Sequence, residues 1–146
     1  MTTTEVPTTQ VYRIAISATP EAIWEAITTP EFTARFFFGA RHTVTADRYL
    51  SLSPEGEVWA DESVDEFDPP RRLVHGWSSR YDDELAAEAA SRVTWEIEPQ
   101  DDGTCMLTLV HDRLEGAPKT AASVAGGWMT VLSRLKTLLE PGEPLA

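Results

Sequence analysis

Near its end the chain carries an apolar stripe that a segment exposed to water does not sustain. Val124, Trp128, Val131, Leu132, Leu135, Leu138 and Leu139 recur every three or four residues, the spacing of one face of an α-helix. That face has to be covered. What precedes it is a succession of short segments with period-two alternation, and an alternating strand has one apolar face to offer. Stripe and strands therefore specify each other: an antiparallel sheet against one long C-terminal helix, an α+β architecture.

The remaining elements follow from local signals. Gln10 to Ile16 alternates as a strand, with Tyr12, Ile14 and Ile16 on one face. Thr19-Pro20-Glu21 and Thr29-Pro30-Glu31 each read as a helix start, combining an N-cap, a first-turn proline and an acid. Two short helices in tight succession are predicted, one carrying Ile23, Trp24 and Ile27, the other Phe32 and Phe36. Strands are predicted at 41–45, 48–52, 57–67, 72–78, 92–98 and 104–111. The stretch 80–91, rich in Ala and Glu, reads as a loop or a brief helix. Gly126-Gly127 interrupts the helical pattern; the pair either delays or bends the helix, or admits a close neighbour. One domain is expected over residues 10–140, with tails at 1–9 and 141–146.

Charge narrows the partners. The formal net charge is −12, from 24 acids and 12 bases. Such a surface repels phosphate backbones and anionic lipid, so neither nucleic acid nor a membrane is expected, and a neutral or cationic ligand fits better. No apolar run approaches the ~18 residues of a span. The single cysteine, Cys105, forms no internal disulfide, which suits a reducing, cytoplasmic setting.

Alternation places side chains. Leu73, His75 and Trp77 share one face, as do Val93, Trp95 and Ile97, and Cys105, Leu107, Leu109 and His111. These faces should meet the C-terminal helix and Trp128. Large aromatics gathered there are either plain core or the wall of a pocket. The candidate ligand-binding set is Trp24, Phe36, Trp59, Glu62, His75, Trp77, Trp95, Leu109, His111, Trp128 and Leu132.

Several segments together carry a family resemblance: Ile16–Thr28, Phe67–Leu73, Ser91–Ile97, Gly103-Thr104 with Leu107–His111, and Gly127-Trp128 with Leu132, Leu135-Lys136 and Leu138–Glu140. In order and spacing the chain resembles the START-like, polyketide-cyclase-like (SRPBCC) superfamily, and within it the group of heat-shock-protein ATPase activator homologues. The resemblance implies a helix-grip fold, a curved antiparallel sheet wrapped around the last helix with a cavity between. It departs from the pattern at 80–90.

Catalytic signals are thin. His111 and Asp112 are neighbours on a strand and point to opposite faces. No nucleophile elbow or phosphate loop occurs, and Cys105 falls on a buried strand face. His42, His75 and His111 lack metal-ligand spacing, and no metal or cofactor is expected. The acids Asp61, Glu62, Asp65, Glu66 and Asp68 divide between two strand faces, with Glu62 the one expected inward. Three functions stay open on sequence: a binder of a small hydrophobic or aromatic molecule; a cyclase, dehydratase or hydrolase using His75, His111 or an acid; a protein-binding, co-chaperone-like regulator. A homodimer through exposed sheet edges is a further expectation.

Overall fold

The computed structural model describes residues 8–80 and 82–140. In chain order the elements are β1 (Gln10–Ile16), α1 (Pro20–Thr28), α2 (Pro30–Phe36), β2 (Arg41–Val44), β3 (Arg48–Leu52), β4 (Val58–Asp68), β5 (Arg72–Trp77), α3 (Asp83–Ala86), β6 (Ser91–Pro99), β7 (Cys105–Asp112), α4 (Pro118–Ala125) and α5 (Trp128–Leu139). The strands form one sheet in the order β1-β7-β6-β5-β4-β3-β2, antiparallel throughout. Register shifts at Ser51/Leu52 and at Val64/Glu66 bend it, as bulges do. Every strand end lies within one residue of the sequence expectation. Among the described residues no helix is long and apolar enough to cross a membrane.

The inner sheet face is the one that alternation indicates. Leu73, His75, Val93, Leu107, Leu109 and His111 are fully buried, and Trp95, Ile97 and Cys105 nearly so. Against them α5 buries Trp128, Val131, Leu132 and Leu135, each large apolar side chain contributing roughly 1.5–3 kcal/mol. Thr19 caps α1, its hydroxyl accepting the Ala22 amide at 3.1 Å. Thr29 ends α1 and begins α2, so no linker separates them. Its side chain makes no cap bond; its carbonyl accepts the Phe32 and Thr33 amides instead.

The C-terminal helix differs from the sequence reading. Helical structure begins at Pro118, not Val124, and Gly126-Gly127 divides it into α4 and α5. Ala117 is a poor cap residue, which hides the start. The cap comes from Glu88 in the 82–90 segment, whose carboxylate accepts the Lys119 and Thr120 amides and the Thr120 hydroxyl at 2.7–2.8 Å. That segment holds the short α3, capped by Asp82. Of the expected tails, residues 1–7 and 141–146 lie outside the described residues, as does Tyr81 in the 80–90 stretch.

Neither glycine of the pair has a positive φ. A Cβ on Gly126 would meet nothing within 4 Å, and one on Gly127 only the Val124 carbonyl at 3.7 Å. The pair is therefore not required by close packing; it weakens helix propagation. Gly126→Ala should raise stability by about 0.4–1 kcal/mol, read as a shift in urea midpoint at constant m. A loss of stability would show that the break between α4 and α5 needs glycine at this position.

Candidate functional site

A cavity of about 370 Å3 opens between the β3–β5 part of the inner sheet face and the α4–α5 break. Its floor comes from Ser51 of β3, Ala60 of β4 and Trp77 of β5; Ser51 and Ala60 are register partners. Two small side chains facing each other on an otherwise bulky sheet leave the space. Val124 of α4 and Trp128 and Val131 of α5 close the opposite wall, with Ser123 at the rim. Phe37, Phe38 and Ala40 enter from the turn after α2. There Phe38 and Gly39 take the left-handed conformation, φ 53° and 79°. This turn buries Phe37 and leaves Phe38 51% exposed at the mouth.

The wall is aromatic and uncharged. Trp77 and Trp128 stand with ring centroids 5.2 Å apart, and Phe37 lies 6.1 Å and 5.7 Å from them. Ser51, Ser78 and Ser123 supply hydroxyls. Ser78 donates to the Glu62 carboxylate at 2.7 Å. Glu62 sits behind the wall, lying over Gly76, where a Cβ would come within 2.6 Å of Glu62 Oε1. Among the described residues no group of three His, Cys, Asp or Glu is gathered to hold a metal.

His75 and His111 do not line the cavity; they are fully buried behind it. Trp95 Nε1 donates to His75 Nε2 at 3.1 Å, so His75 carries its proton on Nδ1 and gives it to the Gly76 carbonyl at 2.7 Å. Trp128 Nε1 donates to His111 Nδ1 at 3.0 Å, which leaves His111 Nε2–H to donate to Ser91 Oγ at 2.7 Å. An indole N–H only donates and a carbonyl only accepts, so these partners fix the neutral tautomers. Tyr49 stacks on His75 at 3.8 Å and its hydroxyl lies 3.0 Å from His42 Nδ1. All four ring nitrogens of His75 and His111 are engaged. The residues alone left both open between the pocket wall, where they could act as acid or base, and the core; the packing makes them core groups that hold tryptophans.

Of the candidate set, Trp59, Trp77 and Trp128 line the cavity. Trp95, Leu109 and Leu132 are core behind it. Phe36 is buried beside Phe37. Trp24 packs edge-on to Phe67, ring centroids 5.2 Å apart, away from the cavity. Sequence reasoning missed Phe37, Phe38, Ala40, Ser51, Ala60, Ser78, Ser123, Val124, Gly127 and Val131 as lining. The run Phe36-Phe37-Phe38-Gly39 was a usable signal, a helix end followed by a turn with aromatics on both sides. Among the described residues Trp77 Nε1 and Ser79 Oγ are buried without a hydrogen-bond partner, so packing, not a hydrogen bond, orients the Trp77 indole.

The buried histidines give stability a defined pH dependence. Burial first, then the nearby His75, holds His42 down to about 3. Burial lowers His75 and His111 to about 4, against the opposing pull of the Gly76 carbonyl and of Asp112 respectively. Unfolded histidine titrates near 6.5. Below that pH the unfolded chain takes up protons that the native state refuses, so stability is full above about 6.5 and falls as pH drops toward 4. Three such groups give a slope of up to roughly 4 kcal/mol per pH unit. Thermal unfolding from pH 8 to 4.5 should show Tm level above about 7 and falling steeply from 6.5 to 5, before carboxylates protonate. A level Tm down to pH 5 would mean that these imidazoles are not held neutral.

Comparison with known proteins agrees with this architecture. Residues 17–140 match the family model described as Activator of Hsp90 ATPase homolog 1-like protein. Protein MLL2253 from Mesorhizobium loti superposes with a TM-score of 0.73 at 22% identity, covering 92% of this chain and 98% of that one. DynU16, from the dynemicin biosynthetic locus, gives 0.74 at 23% identity, over 94% of this chain and 49% of that one. The Aha1 dimer from Colwellia psychrerythraea gives 0.70 at 17% identity, over 92% and 98%. No curated protein matches the sequence. At these identities the structural likenesses speak for the fold alone, a helix-grip arrangement of curved antiparallel sheet and C-terminal helix. The match across residues 17–140 makes the chain a member of the Activator of Hsp90 ATPase homolog 1-like family.

Proposed function

We propose that this protein binds a small hydrophobic or aromatic molecule in the cavity between its sheet and its C-terminal helices. The observation that carries the reading is the cavity itself: about 370 Å3, walled by Trp77, Trp128, Phe37 and Trp59, with serine hydroxyls as the polar contacts. That size and character fall in the range of small-molecule sites. Chemistry in the same space is less well supported. A cyclase, dehydratase or hydrolase would need a proton-transfer group at the wall; both candidate histidines are engaged behind it, and no acid lines it, Glu62 being bonded to Ser78. The family's name points to a protein-binding role. Two of the exposed large hydrophobics, Val11 and Val58, sit on strands separated by three others, which does not favour one continuous docking patch. The Colwellia relative is a dimer, and the open edges at β1 and β2 leave the same assembly available here.

Phenylnaphthylamine, a neutral dye that brightens in apolar surroundings, should bind with a micromolar Kd and quench tryptophan emission. Ser123→Phe, at an exposed rim position, and Val124→Phe should fill the opening and weaken binding about tenfold or more while Tm shifts little. Dye that fails to brighten at saturating protein, or binds these variants as well as the wild type, would remove the cavity as a ligand site.

A further inference from the structure

We infer that the ligand bears an anionic group at one end, received at the cavity mouth by Arg35 and Arg134. The inference rests on the cavity being the ligand site and names the chemistry of its guest: a ring-bearing, apolar organic anion. A second groove lies between α2 and α5, lined by Arg35, Ser133, Arg134, Thr137 and Leu138. Arg134 is what links it to the cavity. The Phe38 ring lines the cavity, and Arg134 Cζ stands 5.3 Å from that ring's centroid. A molecule seated against Trp77 and Trp128 and extending past Phe38 therefore emerges beside Arg134, onto the groove that Arg35 also lines.

The setting of these two side chains suits an anion. Acids outnumber bases 24 to 12 in this chain. Arg48, Arg71, Arg72, Arg92, Lys119 and Lys136 each pair with a carboxylate. Among the described residues Arg35 and Arg134 are in no ion pair, as is true of Arg13, Arg41, Arg80 and Arg113; what sets these two apart is that they line one groove. Glu31 lies one helical turn before Arg35 on α2 and makes no ion pair with it. Like charges facing one groove repel, and an anion bound between them relieves that repulsion. Guanidinium is also the side chain best shaped to grip carboxylate, with two parallel N–H donors. The cavity wall, in contrast, has no charged side chain, so an anionic group would sit at the rim while the rings fill the interior. The negative charge of the whole chain argues for a neutral or cationic guest; the two guanidinium groups of this groove are local positive charge against that background.

Anilinonaphthalene sulfonate and phenylnaphthylamine share a ring system and differ in the sulfonate, so the pair isolates the anionic contact. At low ionic strength the sulfonate should bind the wild type about five- to tenfold more tightly than the neutral dye. Salt near ~0.5 M should erase most of that preference. The double variant Arg35→Gln/Arg134→Gln should lose it too and keep the neutral dye's Kd. Equal binding of both dyes by the wild type, or an unchanged sulfonate preference in the double variant, would overturn the anion site and leave the cavity standing. So would equal weakening of both dyes, which would mean that Arg134 acts only by holding Phe38. Binding of neither dye would overturn the cavity reading itself.

Discussion

One hydrogen bond from indole to imidazole fixes how the last helix sits on the sheet, and a second braces the strands beneath it. Trp128 on α5 reaches His111 on β7, and Trp95 on β6 reaches His75 on the adjacent β5. Each bond joins buried groups, so breaking either leaves a donor and an acceptor away from water at about 1–3 kcal/mol apiece. A purely apolar contact between α5 and the sheet would tolerate sliding by a fraction of a turn. A donor aimed at one ring nitrogen does not. The second nitrogens extend the constraint, His75 to the Gly76 carbonyl and His111 to Ser91 on β6. The stack of Tyr49 on His75 carries it on to β3. Helix position, imidazole tautomer and strand register are thus one network, with most of its members satisfied inside the core.

The cavity is a consequence of that anchoring. Trp128 is held toward β7, and the space beyond it, toward β3 and β4, meets Ser51 and Ala60 instead of large side chains. Phe37 and Trp77 complete the wall without filling it. In a tightly packed interior, space of this kind persists only where neighbours cannot collapse into it. Here the bonded tryptophan on one side and the strand ladder on the other prevent collapse.

Much of this architecture was legible in the sequence. Alternation in β5, β6 and β7 assigned the inward residues because a slip of one position would turn each strand inside out. The caps at Thr19 and Thr29 placed α1 and α2 because the signal is local. The cavity was harder to read. Its lining depends on which small residues oppose each other across β3 and β4, and the bulges that set that register leave no trace in single-residue patterns. The role of the histidines was also hidden. Facing inward was predictable for His75 and His111, but lining a void and bonding an indole place them on the same strand face. Only the position of Trp95 and Trp128 separates the two. The start of α4 was missed for a related reason: its cap, Glu88, comes from a distant segment.

That distant cap bears on how the site is built. α5 is tied into the main core, whereas α4 buries only Thr120, Ala121 and Val124, and Ala121 belongs to a small separate cluster with Leu114 and Ala117. Its other ties run outward, from Glu88 to its first turn and from the Gln10 side chain to the Ala121 carbonyl. Gly126-Gly127 then uncouples it from α5, since two glycines propagate helix poorly. Local stability follows buried apolar contact, so the two halves of the C-terminal helical region differ in how easily they open. Trp128 and Val131 lie on the firm half, Ser123 and Val124 on the weaker one. A guest entering past Ser123 would meet the wall of least resistance first and the bonded tryptophan last. The 82–90 segment, none of whose residues lines the cavity, therefore helps set its shape through a single carboxylate.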